Sequence, residues 1–239
     1  MMVLSKQKLF YSGKVKSMYE TDDPEFLIME FRDDITALDG EKHKKLVSKG
    51  MINNQINAYI MYVLKEAGIP THFESMISPC TAIVRRLKMI PLECVVRNIS
   101  AGSLCRRLGI ENGLRLNSPL YELFLKNDAL HDPMINENHA LSFGWAKQAH
   151  LDHMNVLSSK INNVLLSLFS NAGLILVDAK YEFGTSNGEV YLGDEISPDS
   201  CRIWDIKTKE SLDKDRFRKD LGRVVESYEE IAHRLKIPF

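Results

Sequence analysis

Charged and apolar side chains alternate along a segment in the last third of the chain, residues 175–184. Asp178, Lys180 and Glu182 are two residues apart, so in an extended strand they point to one face while the apolar side chains between them point to the other. A buried charge is costly unless water, an opposite charge or a ligand satisfies it. A Gly-Asp-Glu sequence at residues 193–195 adds two carboxylates after a turn. The pattern predicts a metal and phosphate site; a solvated sheet face with cross-strand ion pairs is the alternative.

The composition is that of an ordinary globular protein. With 239 residues, 44% hydrophobic and 26% charged, the chain can form one large domain or two small lobes. Its net charge of -1 gives no overall field toward nucleic acid or an anionic membrane, so we expect neither as a partner. The absence of a long apolar run and of a signal-peptide core favours a cytoplasmic location. The cysteines are expected to be reduced, because they are scattered without a C-x-x-C pair: Cys80, Cys94, Cys105 and Cys201.

The elements that would position the charges divide the chain in two. Residues 1–88 predict a small antiparallel β lobe with one helix from near Asn53 to Gly68, and residues 89–239 a larger mixed α/β lobe, with a hinge at residues 87–91. The expected fold class is therefore two-lobed α+β. The predicted strands are Lys8 to Tyr11, Val15 to Glu20, Phe26 to Phe31, Ala82 to Leu87, Glu93 to Arg97, Leu174 to Phe183 and Glu189 to Leu192. Two further helices are predicted, from Leu151 to the Asn-Ala-Gly at 171–173 and from Phe217 to Leu235.

Two shorter motifs give weaker signals for phosphate binding. In the turn Gly13-Lys14-Val15-Lys16, backbone N–H groups and two lysines on one side could bind phosphate; a solvated lysine pair on a hairpin is the alternative, since the turn is not a Walker A loop.

The second motif is a strand that ends near Arg97 and leads to Ala101-Gly102-Ser103, where a short helix opens. Unpaired N–H groups, the Ser103 hydroxyl and the Arg97 guanidinium could together bind a phosphomonoester. An N-cap serine beside a surface arginine explains the same residues equally well.

Residues 89–103 and 175–184 resemble the two signature segments of the SAICAR synthetase family, phosphoribosylaminoimidazole-succinocarboxamide synthases of purine biosynthesis. Shorter motifs match that family in the same order, at residues 13–16, 125–128, 131–133, 193–195 and 197–202. The resemblance covers essentially the whole chain.

The resemblance implies an ATP-dependent ligase that joins L-aspartate to the carboxylate of carboxyaminoimidazole ribonucleotide, giving SAICAR, ADP and phosphate. A carboxylate carbon is a poor electrophile, so one oxygen must be phosphorylated before the amine can displace phosphate. ATP, L-aspartate and the ribonucleotide are the implied partners, with Mg²⁺ as cofactor and, by analogy with bacterial members, a homodimer as the assembly. The alternatives are a small-molecule kinase, which gives no reason for the arginine and serine motif, and a nucleotide-binding module without chemistry.

The resemblance also implies a role for each matching residue. The nucleotide would lie on the turn of the first lobe, with two contacts beyond it: the residues are Gly13, Lys14, Val15, Lys16, Met89 and Lys126. Magnesium would be held by Glu182 and Asp194, and the ribonucleotide phosphate by Arg97, Ser103 and Arg202. Asp178 and Lys180 would lie beside the reacting carboxylate. The proton of the aspartate amine could be taken by Asp39 or by Asp199, or it could go to solvent or phosphate.

If Glu182 and Asp194 share one metal ion, they must point to the same sheet face, which requires an odd number of loop residues. We therefore predict a three-residue loop at 186–188 with Gly188 in the left-handed conformation, which places Asp194 opposite Lys180. A two-residue turn at 187–188 would place Asp194 on the other face.

Overall fold

Two antiparallel sheets contain all but two of the strands in the computed structural model, which describes residues 4–37 and 40–238. Asp39, for which the resemblance implies a role, lies outside the described residues. The strands are β1 (Leu9–Ser12), β2 (Lys16–Glu20), β3 (Phe26–Phe31), β4 (Asp34–Ala37), β5 (Lys42–Lys45), β6 (Phe73–Ser78), β7 (Thr81–Arg85), β8 (Lys88–Ile99), β9 (Arg115–Leu125), β10 (Met134–Ile135), β11 (Leu174–Ser186), β12 (Glu189–Leu192) and β13 (Cys201–Asp205). The helices are α1 (Lys49–Glu66), α2 (Ser103–Leu108), α3 (Glu137–Ser142), α4 (Gln148–Asn171), α5 (Asp215–Arg218) and α6 (Val224–Arg234).

The first sheet has the strand order β1-β2-β3-β7-β6, and the second the order β10-β9-β8-β11-β12 with β13 also paired to β11. β4 and β5 form a separate hairpin. This architecture confirms the α+β, two-lobed fold class. The division of the chain at residue 88 stays a prediction, although the two sheets fall on either side of it. The helix α1 packs on the first sheet and also contacts α6, while α4 packs on β11 and β8. None of the described helices is long and apolar enough to cross a bilayer.

The first half of the chain follows the predicted pattern, with additions. Strand β3 has the predicted bounds, but β4, β5 and β6 were not predicted. Helix α1 begins at Lys49, earlier than predicted, because its first turn is fixed by tertiary contacts: Asp33 accepts a hydrogen bond from the Gly50 backbone at 3.0 Å. Gly50 also lies so close to the backbone after β3 that a Cβ there would be 2.8 Å from the Phe31 carbonyl oxygen.

The predicted hinge at residues 87–91 is largely strand. β8 starts at Lys88, which pairs with Thr185 of β11, and Met89 pairs with Gly184. The two sheets are joined at another point, where the backbone N–H of His72 donates to the Leu192 carbonyl at 2.8 Å.

The predicted helix from Phe217 to Leu235 is wrong: α5 and α6 are separate helices. Between them Asp220, Gly222 and Arg223 have positive φ angles of 56°, 66° and 52°. The apolar period continues in phase across the break, so the pattern could not show it. The break depends on a contact between a side chain and the backbone, because the Arg216 guanidinium donates to the carbonyl oxygens of residues 211, 221 and 222.

The predicted three-residue loop after β11 is also wrong. Ser186 pairs with Glu189, so the turn has two residues, Asn187 and Gly188, with φ angles of 51° and 85°. Two left-handed residues are what a two-residue hairpin turn requires, and Asn-Gly supplies them at low cost. Asp194 nevertheless reaches Lys180, because β12 ends at Leu192 and the chain leaves the sheet before Asp194.

Candidate active site

A cluster of carboxylates surrounds the ammonium group of Lys180 on β11. Its Nζ atom lies 2.6 Å from Glu182 Oε1, 2.8 Å from Glu93 Oε1 and 3.9 Å from Asp194 Oδ2. Glu93 is brought there by sheet register, since it is paired with Glu182 across β8 and β11. Burial opposes the charged form of Lys180, but Glu182 and Glu93 outweigh it and raise the pKa, so the side chain is a cation at neutral pH.

Two more lysines complete this cluster from other parts of the chain. Lys126, just after β9, forms an ion pair with Glu182, and Lys16, at the start of β2, forms ion pairs with both Asp194 and Glu195. Burial works against the ionised form of Glu182, but Lys180 and Lys126 lower its pKa to about 2. The site thus contains four carboxylates and three lysines, so it has one more acidic than basic side chain. We call these seven residues the carboxylate–lysine cluster.

The loop before β2 is held by Arg32, which directly follows β3. Arg32 donates to the carbonyl oxygens of Gly13 at 2.5 Å and Lys16 at 3.1 Å, and its backbone N–H donates to the Val15 carbonyl at 2.8 Å. At the tip, Lys14 Nζ lies 2.9 Å from Asp128 Oδ1, beyond β9. The loop is thus fixed against the edge of the second sheet, beside the carboxylate–lysine cluster.

Met89 forms an apolar surface beside these charges. A Cβ atom at Gly184 or at Gly193 would lie 3.0 Å from Met89 Sδ, so both glycines let the side chain lie flat on β11 and the chain after β12. Met89 is 42% exposed, and Gly193 directly precedes Asp194. An apolar group bound there would lie next to the carboxylates.

A second charged group lies farther toward the start of β11. Asp178 is directly opposite Arg97 on β8 and Arg202 on β13, and its Oδ2 atom accepts a hydrogen bond of 2.9 Å from each guanidinium. Arg97 also donates to Glu122 at 2.6 Å and to the Ser103 hydroxyl at 3.0 Å, and Arg202 donates to Asp215 at 3.1 Å. The two arginines are therefore fixed on either side of one buried carboxylate. We call Arg97, Ser103 and Arg202 the arginine–serine group.

Gly102, just before α2, brings this group together. Its φ angle is 58°, and a Cβ atom would lie 2.6 Å from Arg202 Cζ. The Arg202 guanidinium therefore packs directly on the backbone at the start of α2. The Arg202 side chain is 17% exposed, and the Ser103 hydroxyl beside it accepts a hydrogen bond from the buried Arg97. Arg202 and Ser103 therefore offer donors that suit an anionic group such as a phosphate, with Arg97 adding positive charge next to them.

Comparison with known proteins identifies the family. The family model described as SAICAR synthetase matches residues 9–235. A phosphoribosylaminoimidazole-succinocarboxamide synthase from Coxiella burnetii is 81% identical over 99% of both chains, and one from Marinobacter nauticus is 59% identical over 99% of this chain and 100% of its own.

The chain belongs to the SAICAR synthetase family.

Solved structures of the SAICAR synthetase family have the same fold. The synthase from Ehrlichia chaffeensis superimposes with a TM-score of 0.95 at 43% identity, covering 97% of this chain and 100% of its own. A SAICAR synthetase solved in complex with ADP has a TM-score of 0.93 at 46% identity, with the same coverage.

The donor set suits the magnesium ion that the SAICAR synthetase resemblance implies. Glu182 and Asp194 offer hard oxygen atoms on either side of one ammonium group, and two carboxylates with phosphate oxygens and water are a usual environment for Mg²⁺. Within the described ranges, no group of three or more His, Cys, Asp or Glu side chains has the arrangement of a complete protein-only metal site.

The structure places Asp178 and Lys180, which were predicted to lie beside the reacting carboxylate, in two neighbouring charged groups. Asp178 lies between the two arginines, and Lys180 lies in the carboxylate–lysine cluster. Asp199 is in neither group. Its side chain is 3% exposed and accepts hydrogen bonds from residues of α1 and α6.

Sequence reasoning missed several residues of the SAICAR synthetase site. Glu93 and Glu195 lie within matching motifs and could have been found from them, whereas Glu122 and Asp215, which hold the two arginines, have no local signal. Their roles depend on strand pairing and on a helix that packs from elsewhere in the chain.

Proposed function

We propose that this chain joins L-aspartate to the carboxylate of carboxyaminoimidazole ribonucleotide in an ATP-dependent reaction that gives SAICAR, ADP and phosphate. Membership of the SAICAR synthetase family makes it a ligase, and the relative solved with ADP supports nucleotide binding. The observation that carries the proposal is that one strand, β11, holds both charged groups: Asp178 anchors the arginine–serine group, and Lys180, two residues on, lies in the carboxylate–lysine cluster.

The arrangement suits a sugar phosphate whose other end carries the reacting acid. The arginine–serine group would bind the phosphate, because guanidinium groups form paired, charge-assisted hydrogen bonds to phosphate oxygens. The acid would then point along β11 toward Lys180. A kinase for a neutral substrate would gain nothing from this group.

The nucleotide would lie on the loop at residues 13–16, with Lys126 near its phosphates and its adenine against Met89. Glu182 and Asp194 would hold a Mg²⁺ ion, which would neutralise negative charge on the phosphates. Lys180 would stabilise the charge that develops on the transferred phosphoryl group, since its neighbouring carboxylates keep it protonated. The acyl phosphate so formed is an electrophile, and the aspartate amine displaces phosphate from it.

We further propose a homodimer in the cytoplasm, by analogy with bacterial members of the family. Sedimentation velocity at micromolar concentration tests the assembly: a single species of twice the chain mass supports it, and a monomer contradicts it.

A coupled ADP-release assay tests the reaction. With ATP, Mg²⁺ and the ribonucleotide present, ADP release is expected only when L-aspartate is added, together with formation of SAICAR. Full turnover without aspartate would identify a kinase instead. Absence of ADP release with all three substrates would identify a binding module. A rise in melting temperature with ATP, Mg²⁺ and ribonucleotide, alone and combined, measures binding independently of turnover.

A further inference from the structure

A buried polar cluster lies where α1, α6 and the segment between β12 and β13 meet. It consists of Lys49, Asn53, Asp199 and Tyr228, whose side chains are all 3% exposed or less. We call it the Asp199 junction. The proposed reaction assigns no role to any of these four residues.

Both oxygen atoms of the Asp199 carboxylate are occupied. Oδ2 lies 2.7 Å from Lys49 Nζ and accepts a hydrogen bond of 2.8 Å from Asn53 Nδ2, and Oδ1 accepts one of 2.8 Å from the Tyr228 hydroxyl. Burial disfavours the charged form, but the positive charges of Lys49 and Lys214, with the hydrogen bonds from Lys49 and Tyr228, together outweigh it and lower the pKa of Asp199. The carboxylate is an ionised, fully paired group.

A general base must reach the proton that it removes. The Asp199 carboxylate has three protein donors and almost no exposure, so no incoming amine can approach it without breaking the junction. The geometry therefore does not suit the catalytic role that the resemblance left open for Asp199.

The same geometry suits a mechanical role. Asp199 lies in a short segment, residues 195–202, that leads from the carboxylate–lysine cluster to the arginine–serine group. At one end Glu195 forms an ion pair with Lys16, and at the other Arg202 donates to Asp178. The segment is pinned to α1 at a second point, because the Ile196 backbone N–H donates to Asn57 at 3.0 Å.

Lys49 ties the junction to a further element. Its Nζ atom also donates to the Asp34 carbonyl at 2.9 Å, at the start of the β4–β5 hairpin. One ammonium group thus fixes the hairpin and the segment to α1.

We propose that Asp199 is a positioning residue: through Lys49, Asn53 and Tyr228 it holds residues 195–202 on α1, so that Arg202 stays in place for the ribonucleotide phosphate. The inference rests on the proposed function, because it takes that phosphate as the ligand.

Charge-neutral replacement separates positioning from mere stability. Breaking a buried ion pair on one side leaves an uncompensated charge and is strongly destabilising, whereas removing both charges is often nearly neutral. Asp199→Asn and Lys49→Met should each lower the melting temperature, and the double variant should recover much of the loss. In the double variant, residues 195–202 still lack the ion pair that holds them on α1. We therefore expect the dissociation constant of the ribonucleotide, measured by calorimetry, to stay raised about 10-fold or more.

The pH profile of kcat gives the second readout. For a positioning residue, the Asp199→Asn profile keeps the shape of the unaltered enzyme. For a general base, Asp199→Asn would lower kcat by about 100-fold or more, remove the acidic limb and leave ribonucleotide affinity unchanged. That result would overturn the proposal, and so would a double variant that regains both stability and normal ribonucleotide affinity.

Asp205→Asn is a matched control. It removes another ion pair that holds α6, since Asp205 Oδ2 lies 2.7 Å from Arg234, away from the site residues. It should lower the melting temperature without changing ribonucleotide affinity. Calorimetric binding does not require turnover, so failure of the ligase reaction in the unaltered chain would be seen separately, as ADP release that does not depend on aspartate.

Discussion

Gly102 offers a sharp test of the arginine–serine group. Its φ and ψ angles of 58° and -127° lie outside the left-handed helical region, in a part of conformational space that essentially only glycine occupies. A Cβ atom would also lie 2.6 Å from Arg202 Cζ. Gly102→Ala should therefore move the Arg202 guanidinium away from α2.

Gly102→Ala should have two effects, one on stability and one on ribonucleotide binding. Backbone strain costs of order 1–3 kcal/mol, which lowers stability. Displacing Arg202 removes a charge-assisted hydrogen bond to the ribonucleotide phosphate, worth about 1.5–3 kcal/mol, which is about a 10- to 100-fold rise in KM for the ribonucleotide. KM for ATP should change little, because the nucleotide would lie at the other charged group.

Gly109, at the other end of the same helix, is the control. Its φ angle is 65°, in the left-handed region, and a Cβ atom there would have no neighbour within 4 Å among the described residues. Gly109→Ala should cost about 1–2 kcal/mol of stability and leave KM unchanged. The assay is steady-state ADP release with ribonucleotide varied at saturating ATP and L-aspartate. Equal ribonucleotide KM values in the two variants would refute the placement of the phosphate beside Arg202.

Two further perturbations address the remaining charges. Lys16→Met should bind Mg²⁺ alone about tenfold more tightly and ADP more weakly, because Lys16 now neutralises Asp194 and Glu195; calorimetry with each ligand checks this, and unchanged Mg²⁺ affinity would contradict it. Burial, and then Lys16, lower the pKa of His72 to about 3, so the unfolded chain takes up a proton near pH 6.5 that the folded chain refuses, and stability falls as the pH drops below that value. When the pH is lowered from 7 to 5, the free energy of unfolding measured with urea should fall by about 2 kcal/mol less in His72→Gln than in the unaltered chain. Equal falls in the two proteins would show that His72 is not the cause.

The fold was predictable where the signal is local. Residues 26–31 form a short apolar run and residues 189–192 alternate; both segments are bounded by turn residues, and both strands have the predicted bounds. β9 was not predicted, because most of residues 115–120 are exposed and show no alternation. The break between α5 and α6 depends on Arg216 reaching carbonyl groups five or six residues away, which no periodicity reports.

The site, like the fold, was predictable where its residues are close in sequence. Arg97 and Ser103 are close in sequence, so their meeting is a local matter. Arg202 joins them only through the pairing of β13 with β11, and the resemblance, more than spacing, pointed to it. The position of Asp199 shows the limit of such transfer, because a motif gives a residue's place in the chain but not the partners that occupy its oxygen atoms.

The pairing of β8 with β11 also explains why a lysine stands at position 180. Glu93 and Glu182 face each other directly across the two strands, a like-charge pair that destabilises a sheet. Their pKa values move apart: burial raises that of Glu93, and lysines lower that of Glu182. Lys180 contacts both carboxylates and so makes the pairing tolerable. A sheet built only for stability would place apolar or oppositely charged partners there, so the retained repulsion marks this position as one shaped by ligand charge.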